Sequence, residues 1–102
     1  MARARTRALR RTLVASPTVA EAINLASVVY GNGATLWRKA RCESQLNPGA
    51  HNGSEASGLF QFLPSTWRTT PFSGFSIYSA YANALAAGWM HRVGRGGEWS
   101  CR

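Results

Sequence analysis

The sequence predicts a small, mainly α-helical single domain with at most a minor β element. The chain has 102 residues, the size of one domain. Hydrophobic residues make up 45% of it, which is too many for a disordered chain and typical of one with a packed core. The apolar residues also fall into helix-length runs, separated by clusters of turn formers at 31–33 and 47–58. These three observations favour a helical globule.

The first predicted helix follows Pro17 and ends at Gly31. Thr18 and Glu21 have the spacing of a capping box, in which each side chain binds the backbone of the other residue. Apolar residues then crowd the stretch 19–30, and the Gly-Asn-Gly sequence at 31–33 ends it.

A second helix is predicted over 35–44, and its faces differ in chemistry. At helical spacing Leu36, Ala40 and Glu43 lie within about 60° of one another, whereas Arg38 and Arg41 point the opposite way. The Asn-Pro sequence at 47–48 ends any helical pattern. A carboxylate therefore sits on the apolar face of this helix, close to its C-terminus.

For the second half of the chain, the sequence predicts a loop, a short helix and a buried helix. Residues 47–58 are almost all turn formers, which indicates a tight surface loop or hairpin. A short helix is expected to begin at Pro64, and 70–76 are expected to be loop. The final helix is predicted over 79–93 and is apolar nearly all round, so we expect it to be buried.

The charge of the chain is concentrated at its N-terminus. Twelve basic residues stand against four acidic ones, giving a net charge of +8, and no residue is Asp. Five of the arginines lie in an arm over 1–15, and without them the net charge falls to +3. Such an arm suits an anionic envelope polymer or an acidic protein partner, with a solvated terminus as the alternative. Because basic residues are not interleaved with aromatic ones on one face, we do not expect nucleic-acid binding.

Neither a membrane span nor a cleaved secretion signal is expected. No apolar run reaches 18 residues. The start of the chain has the basic residues of a signal, but the apolar stretch from Leu13 to Ala20 is short and interrupted at 16–18.

Several familiar kinds of chemical site are excluded by the residue types. Without Asp, the chain lacks the usual serine–histidine–aspartate triad. Cys42 and Cys101 are too few and too far apart for a metal pattern, which leaves either a disulfide or two unrelated thiols. His51 and His91 are isolated and are interpreted as ordinary surface or packed histidines.

Glu43 is the strongest catalytic candidate. Burial on an apolar face and a helix C-terminus both disfavour a negative charge, so its pKa is expected to be raised, as a general acid near neutrality requires. The alternative is a surface Glu paired with Lys39 or Arg38. Of the other acids, Glu21 belongs to a capping box and Glu98 to a glycine-rich segment. A second carboxylate facing Glu43 is not expected, and only Glu55 could reach that position. One essential carboxylate is therefore predicted.

An unusually aromatic set accompanies this acid. Most of its members are expected in the core, and any that line a cleft would suit the apolar faces of sugar rings. The members are Trp37, Phe60, Phe62, Trp67, Tyr78, Tyr81 and Trp89. Gln61 and Asn83 are polar groups in apolar surroundings, and each needs either a backbone partner or a substrate.

Taken together, the motifs resemble those of the soluble lytic transglycosylases. The segment 43–48 (Glu-Ser-Gln-Leu-Asn-Pro), followed by Ala50 and Asn52, resembles the motif that carries the catalytic Glu of that family. The segment 58–67 is similar to its Gly-Leu-x-Gln motif followed by Pro-x-Thr, and 81–88 resembles a third motif with a helical Asn facing the cleft. A further family motif, which carries a Tyr, has no clear counterpart.

A second resemblance is to the resuscitation-promoting factors, compact lysozyme-like domains with one catalytic Glu. It rests on Trp37, on Cys42 directly before Glu43, and on the C-terminal segment 94–101, which carries Trp99 and Cys101. In those proteins the Cys beside the catalytic Glu pairs with a Cys near the C-terminus, which implies a disulfide between Cys42 and Cys101 here. The two resemblances cover about residues 34–102.

The resemblance implies a lysozyme-like fold of the goose-type lysozyme and lytic transglycosylase kind. It divides the chain into the basic arm 1–15, an accessory helix over 16–33 and the enzymatic domain over 34–102. It implies cleavage of the β-1,4 bond between N-acetylmuramic acid and N-acetylglucosamine in peptidoglycan, without a metal or organic cofactor. The site residues it implies are catalytic Glu43 and, for substrate binding, Ser44, Gln61, Phe62, Tyr81 and Asn83.

The resemblance also implies action at the cell envelope, outside the cell, or within a phage virion that opens the wall. Partners other than glycan strands would be virion or envelope proteins that bind the arm. A catalytically inactive structural or wall-binding module of a virion is the alternative. Whether water or the muramyl 6-hydroxyl attacks stays open.

Overall fold

A computed structural model describes residues 17–99 and Cys101 and confirms the mainly α prediction. The α-helices of this part are α1 (Val19–Tyr30), α2 (Gly33–Ser44), α3 (Pro64–Trp67) and α4 (Ala80–Arg92), and a 3₁₀ helix follows over Gly96–Glu98. In the same part, β structure is limited to isolated bridges that join Ser57 to His51 and to Phe62. The arm over 1–15 lies outside the described residues.

Helix α1 begins and ends as its sequence indicates. The Thr18 hydroxyl accepts from the Glu21 N–H at 3.1 Å, and the Glu21 carboxylate accepts from the Thr18 N–H at 3.2 Å, which completes the capping box. At the other end Gly31 has φ +82°, a conformation that glycine adopts without the strain of a side chain.

Helix α1 is part of the central core. Its residues Ala22, Ile23 and Ala26 are fully buried and pack in one cluster with α4. A Cβ added at Gly88 of α4 would lie 3.1 Å from the Tyr30 ring, so the absent side chain lets the two helices approach. Helix α1 therefore packs in the same core as the helices that follow it.

Helix α2 presents the two chemically different faces predicted for it. Leu36 and Ala40 are fully buried, whereas Arg38 and Arg41 are exposed. The helix begins at Gly33, two residues earlier than expected, and ends at Ser44. Gln45 and Leu46 follow with φ of +55° and +62°, and these left-handed residues, rather than the Asn-Pro pair behind them, turn the chain out of the helix.

Helix α4 is buried on nearly all sides, as predicted. From Ala80 to Met90 every residue is buried except the half-buried Tyr81 and Trp89. No helix of the described chain is both long and apolar enough to cross a membrane.

Candidate active site

Glu43 lies one residue before the end of α2, where its carboxyl group meets the C-terminal segment. The backbone N–H of Cys101 donates to its Oε2 at 3.2 Å. Burial raises the pKa of Glu43, while the Cys101 N–H and the positive charge of Lys39 act in the opposite direction. The net direction is upward, because removing the carboxylate from water disfavours its charge. This is the behaviour expected of a proton donor.

Lys39 lies one turn before Glu43 and is also buried. Its Nζ donates to the Gly96 carbonyl oxygen at 2.5 Å and stands 4.7 Å from the centroid of the Trp99 ring. The ammonium group that lowers the pKa of Glu43 thus also binds the C-terminal segment. Arg38, the other proposed partner of Glu43, is exposed on the opposite face of the helix.

The C-terminal segment forms one wall of the site. Trp99 is buried, donates from its indole N–H to the Phe60 carbonyl at 2.7 Å, and packs edge-on against Phe62 with ring centroids 5.5 Å apart. His91 stacks on the same indole at an interplanar angle of 9°. Burial and the charge of Lys39 lower the pKa of His91, which favours the neutral form of the stacked imidazole.

A cavity of about 200 Å³ opens beside the Glu43 carboxyl group. Its lining comes from Glu43 itself, from the segment between Asn52 and Leu63, and from Glu98 and Trp99. A second cavity of about 70 Å³ adjoins it, with Gln61, Leu63, Glu98 and Trp99 in common. The two form one cleft that has an acid at one end and aromatic and apolar surface along it, which suits a sugar chain.

Two of the expected substrate-binding residues line this cleft. Gln61 lines both cavities and Phe62 the smaller one. The Gln61 amide nitrogen donates to the carbonyls of Ala50 and Gly58 at 3.1 and 3.0 Å, which fixes the side chain from behind. Its backbone, at φ +53°, turns the chain so that Phe60 and Phe62 both reach the core.

The other three residues expected to bind substrate, Ser44, Asn83 and Tyr81, contact the protein itself. The Ser44 hydroxyl is buried and donates to the Ala40 and Leu59 carbonyls at 3.0 and 2.6 Å, so it joins α2 to the segment that carries Gln61. Tyr81 packs against the core. None of the three is among the residues that line the cleft.

Asn83 connects α4 to two segments of loop. It is completely buried; its Oδ1 accepts from the Phe60 N–H at 2.7 Å, and its Nδ2 donates to the Ile77 carbonyl at 2.8 Å. Gly58 adopts φ +85°, and a Cβ there would collide with this amide and with the Ile77 carbonyl. The backbone partner, rather than a substrate, satisfies this side chain.

We expect Asn83→Leu to destabilise the fold. It leaves the buried Phe60 N–H and the part-buried Ile77 carbonyl without their side-chain partner, at a cost of about 1–3 kcal/mol for a buried group. Chemical denaturation measures the free energy of unfolding, and Asn24→Leu on the exposed face of α1 is the matched control, expected to change little. An unchanged free energy together with a raised KM would instead make Asn83 a substrate-binding residue.

Cys42 and Cys101 form a disulfide across a sequence separation of 59 residues, with Cα atoms 6.0 Å apart. The bond joins the end of α2 to the last described residue. Since the neighbouring N–H of Cys101 binds Glu43, the disulfide fixes the wall of the cleft directly beside the acid.

The acidic residue that shares the cleft with Glu43 is Glu98 and not Glu55. Glu55 is exposed, and the cavity lining does not include it, although its neighbours Ser54 and Ala56 belong to it. Within 17–99 and 101, no three His, Cys, Asp or Glu residues come together as a metal site would need. The Arg-x-x-Glu spacing at 95–98 was the signal in the sequence that could have drawn attention to Glu98.

A larger cavity lies on the opposite side of α2. Its volume is about 480 Å³, and its lining comprises Ala34, Trp37, Arg38, Arg41 and Leu46. No acidic side chain is among these lining residues.

Comparison with known proteins gives one family. The model of the transglycosylase SLT domain matches residues 26–86, well over half of the chain. The match begins inside α1, includes Glu43 and Gln61, and ends within α4. No curated protein and no solved structure matches significantly.

Proposed function

The chain belongs to the transglycosylase SLT domain family, whose fold is lysozyme-like, and on that premise we propose that it cleaves the glycan strands of peptidoglycan with Glu43 as its general acid and base. The observation that carries the proposal is the position of Glu43: a half-buried carboxyl group with a raised pKa, in a cleft lined with aromatic and amide side chains. The proposed bond is the β-1,4 linkage from N-acetylmuramic acid to N-acetylglucosamine.

Glu43 would act twice in one turnover. Its protonated carboxyl group gives a proton to the bridging oxygen as the bond from that oxygen to the muramyl C1 breaks, so that N-acetylglucosamine leaves with a free 4-hydroxyl. The carboxylate then takes the proton of the muramyl 6-hydroxyl, whose oxygen bonds to C1. The product carries a 1,6-anhydro ring, and Glu43 has recovered its proton.

The cleft walls would hold the strand during these steps. Trp99 and Leu63 offer apolar surface to sugar rings, and Gln61 offers a fixed amide. Ser44 and Asn83 act as positioning residues, because their hydrogen bonds to Leu59 and Phe60 hold the segment on which Gln61 lies. Peptidoglycan as substrate puts the site of action in the cell envelope or outside the cell.

Mass analysis of the fragments released from purified peptidoglycan tests this proposal. We expect fragments with 1,6-anhydromuramyl ends from the wild-type protein and none from Glu43→Gln. Reducing muramyl ends would show that water attacks instead, and would overturn the transglycosylase step. Tight binding to the walls without any release would favour a wall-binding module and overturn the enzyme.

The pH profile gives a second prediction. Because Glu43 must carry a proton to act as an acid, kcat/KM should be high below its pKa and should fall as the pH rises through it. The decline in kcat/KM should occur at a higher pH than the pKa of an ordinary glutamic acid, since burial raises the pKa of Glu43. Lys39→Met removes a positive charge that lowers the pKa of Glu43, so in this variant the decline in kcat/KM should move to higher pH. If the decline stays at the same pH or moves to lower pH, the assignment of Glu43 as the general acid is contradicted.

A further inference from the structure

Glu98 lies where the two cavities of the cleft meet. It lines the cavity that contains Glu43 and also the one that contains Phe62. The next residue, Trp99, is anchored to Phe60 by its indole N–H, and Lys39 binds the carbonyl of Gly96 two residues earlier. The backbone on both sides of Glu98 is therefore fixed in the cleft wall.

The Glu98 carboxylate is held in one orientation by Arg95. The guanidinium donates from Nε to Oε2 at 2.5 Å and from Nη2 to Oε1 at 3.0 Å. A third donor, Nη1, binds the Thr69 hydroxyl at 3.0 Å, and the guanidinium lies 5.7 Å from the centroid of the Trp89 ring. With three hydrogen bonds on one guanidinium, the carboxylate has a defined position as well as a counter-charge.

We propose that Glu98 is a substrate-binding residue of this cleft, whose carboxylate accepts hydrogen bonds from the hydroxyl and N-acetyl N–H groups of a sugar bound beside Glu43. A carboxylate has about four acceptor positions, and Arg95 occupies two of them. Sugars present many donors, and Leu63 and Trp99 adjoin Glu98 with apolar surface for a ring. The proposal rests on the proposed function, since it names what this cleft binds.

The pKa values of the two acids in the cleft are shifted in opposite directions. Hydrogen bonds from Arg95 lower the pKa of Glu98, whereas burial raises that of Glu43. Glu98 therefore remains an acceptor at the pH at which Glu43 still carries a proton to donate. A purely structural pair would contribute little, because its side chains are 30% and 44% exposed and exposed ion pairs add little stability.

Binding measured without turnover tests the inference. In a Glu43→Gln background, calorimetry with peptide-free peptidoglycan glycan fragments gives the Kd. Adding Glu98→Gln should weaken binding about 10-fold or more, the size expected for a hydrogen bond to a charged group. Glu55→Gln, in the exposed loop outside the cleft lining, is the matched control and should leave Kd unchanged. In the active enzyme, Glu98→Gln should raise KM more than it lowers kcat.

Arg95→Gln separates substrate binding from a structural role. It keeps the carboxylate but removes the group that lowers its pKa, so binding should weaken less than in Glu98→Gln at neutral pH and should weaken further as the pH falls. Equal losses in both variants at every pH, or an unchanged Kd in Glu98→Gln, would overturn the inference alone. If the Glu43→Gln parent bound no glycan and the wild type released no fragments, the proposed function would fall as well.

Discussion

Glu43→Gln is expected to lower the rate of peptidoglycan cleavage by at least about 10²–10⁴-fold, which is the contribution of general acid catalysis. Glutamine keeps the shape of the side chain and an oxygen that accepts from the Cys101 N–H, but it has no proton to transfer. The loss should appear in kcat, because Gln61, Trp99 and Glu98 still line the cleft. Fragment release from purified walls, measured over time, gives the rate.

The fold should survive this substitution. A carboxyl group whose pKa is raised in the folded state opposes folding when it is ionised, so replacing it with a neutral amide should leave the melting temperature unchanged or slightly higher at neutral pH. Loss of activity with a collapsed melting temperature would therefore indicate damage to the wall and not loss of the acid. Wild-type turnover in Glu43→Gln would refute the mechanism outright.

The elements that local chemistry determines were predictable from the sequence. The capping box of Thr18 and Glu21 marks the beginning of α1, and Gly31 its end. Helical spacing places Glu43 on the same face as the buried Leu36 and Ala40, and the structure has it half-buried there. In each case the evidence lies within a few residues of sequence.

The parts of the site that depend on distant contacts were not predictable in the same way. Ser44 and Asn83 belong to motifs of the family, yet each binds a backbone group that is distant in sequence, 15 residues away for Ser44 and 23 for Asn83. Spacing shows that such a polar group needs a partner, but it does not show whether the partner is backbone or sugar. The three-dimensional fold determines which of the two partners is within reach.

The position of Glu98 in the cleft is likewise not predictable from the sequence around it. It follows a run of glycines, and nothing in its local sequence connects it to α2. Its place in the cleft comes from contacts that cross 57 to 59 positions of sequence: Lys39 to Gly96, Cys101 to Glu43, and the disulfide from Cys42 to Cys101. Glu55 is nearer to Glu43 in sequence, yet it lies outside the cavity lining, since closeness in sequence does not determine closeness across a cleft.

Breaking the Cys42–Cys101 disulfide is expected to have the largest effect on stability. Closing a loop across 59 residues stabilises the fold by about 4 kcal/mol on the loop-entropy estimate. For a domain of this size that corresponds to a fall in melting temperature of roughly 15–30 °C. A chain this short buries only a modest share of its surface, so its core has little stability to spare.

The double variant Cys42→Ala with Cys101→Ala should show this fall in a thermal melt, and strong reductant should produce the same fall in the wild type, since Cys42 is exposed. The variant is its own control, because reductant should not change it further. Below its melting temperature the variant should also lose activity. Its C-terminal segment keeps the bonds from Lys39 and Trp99 but not the link beside Glu43, so the Cys101 N–H and Glu98 are less firmly placed in the cleft. A wild-type melting temperature that did not respond to reductant would show that Lys39, Trp99 and the helical core hold this wall without the disulfide.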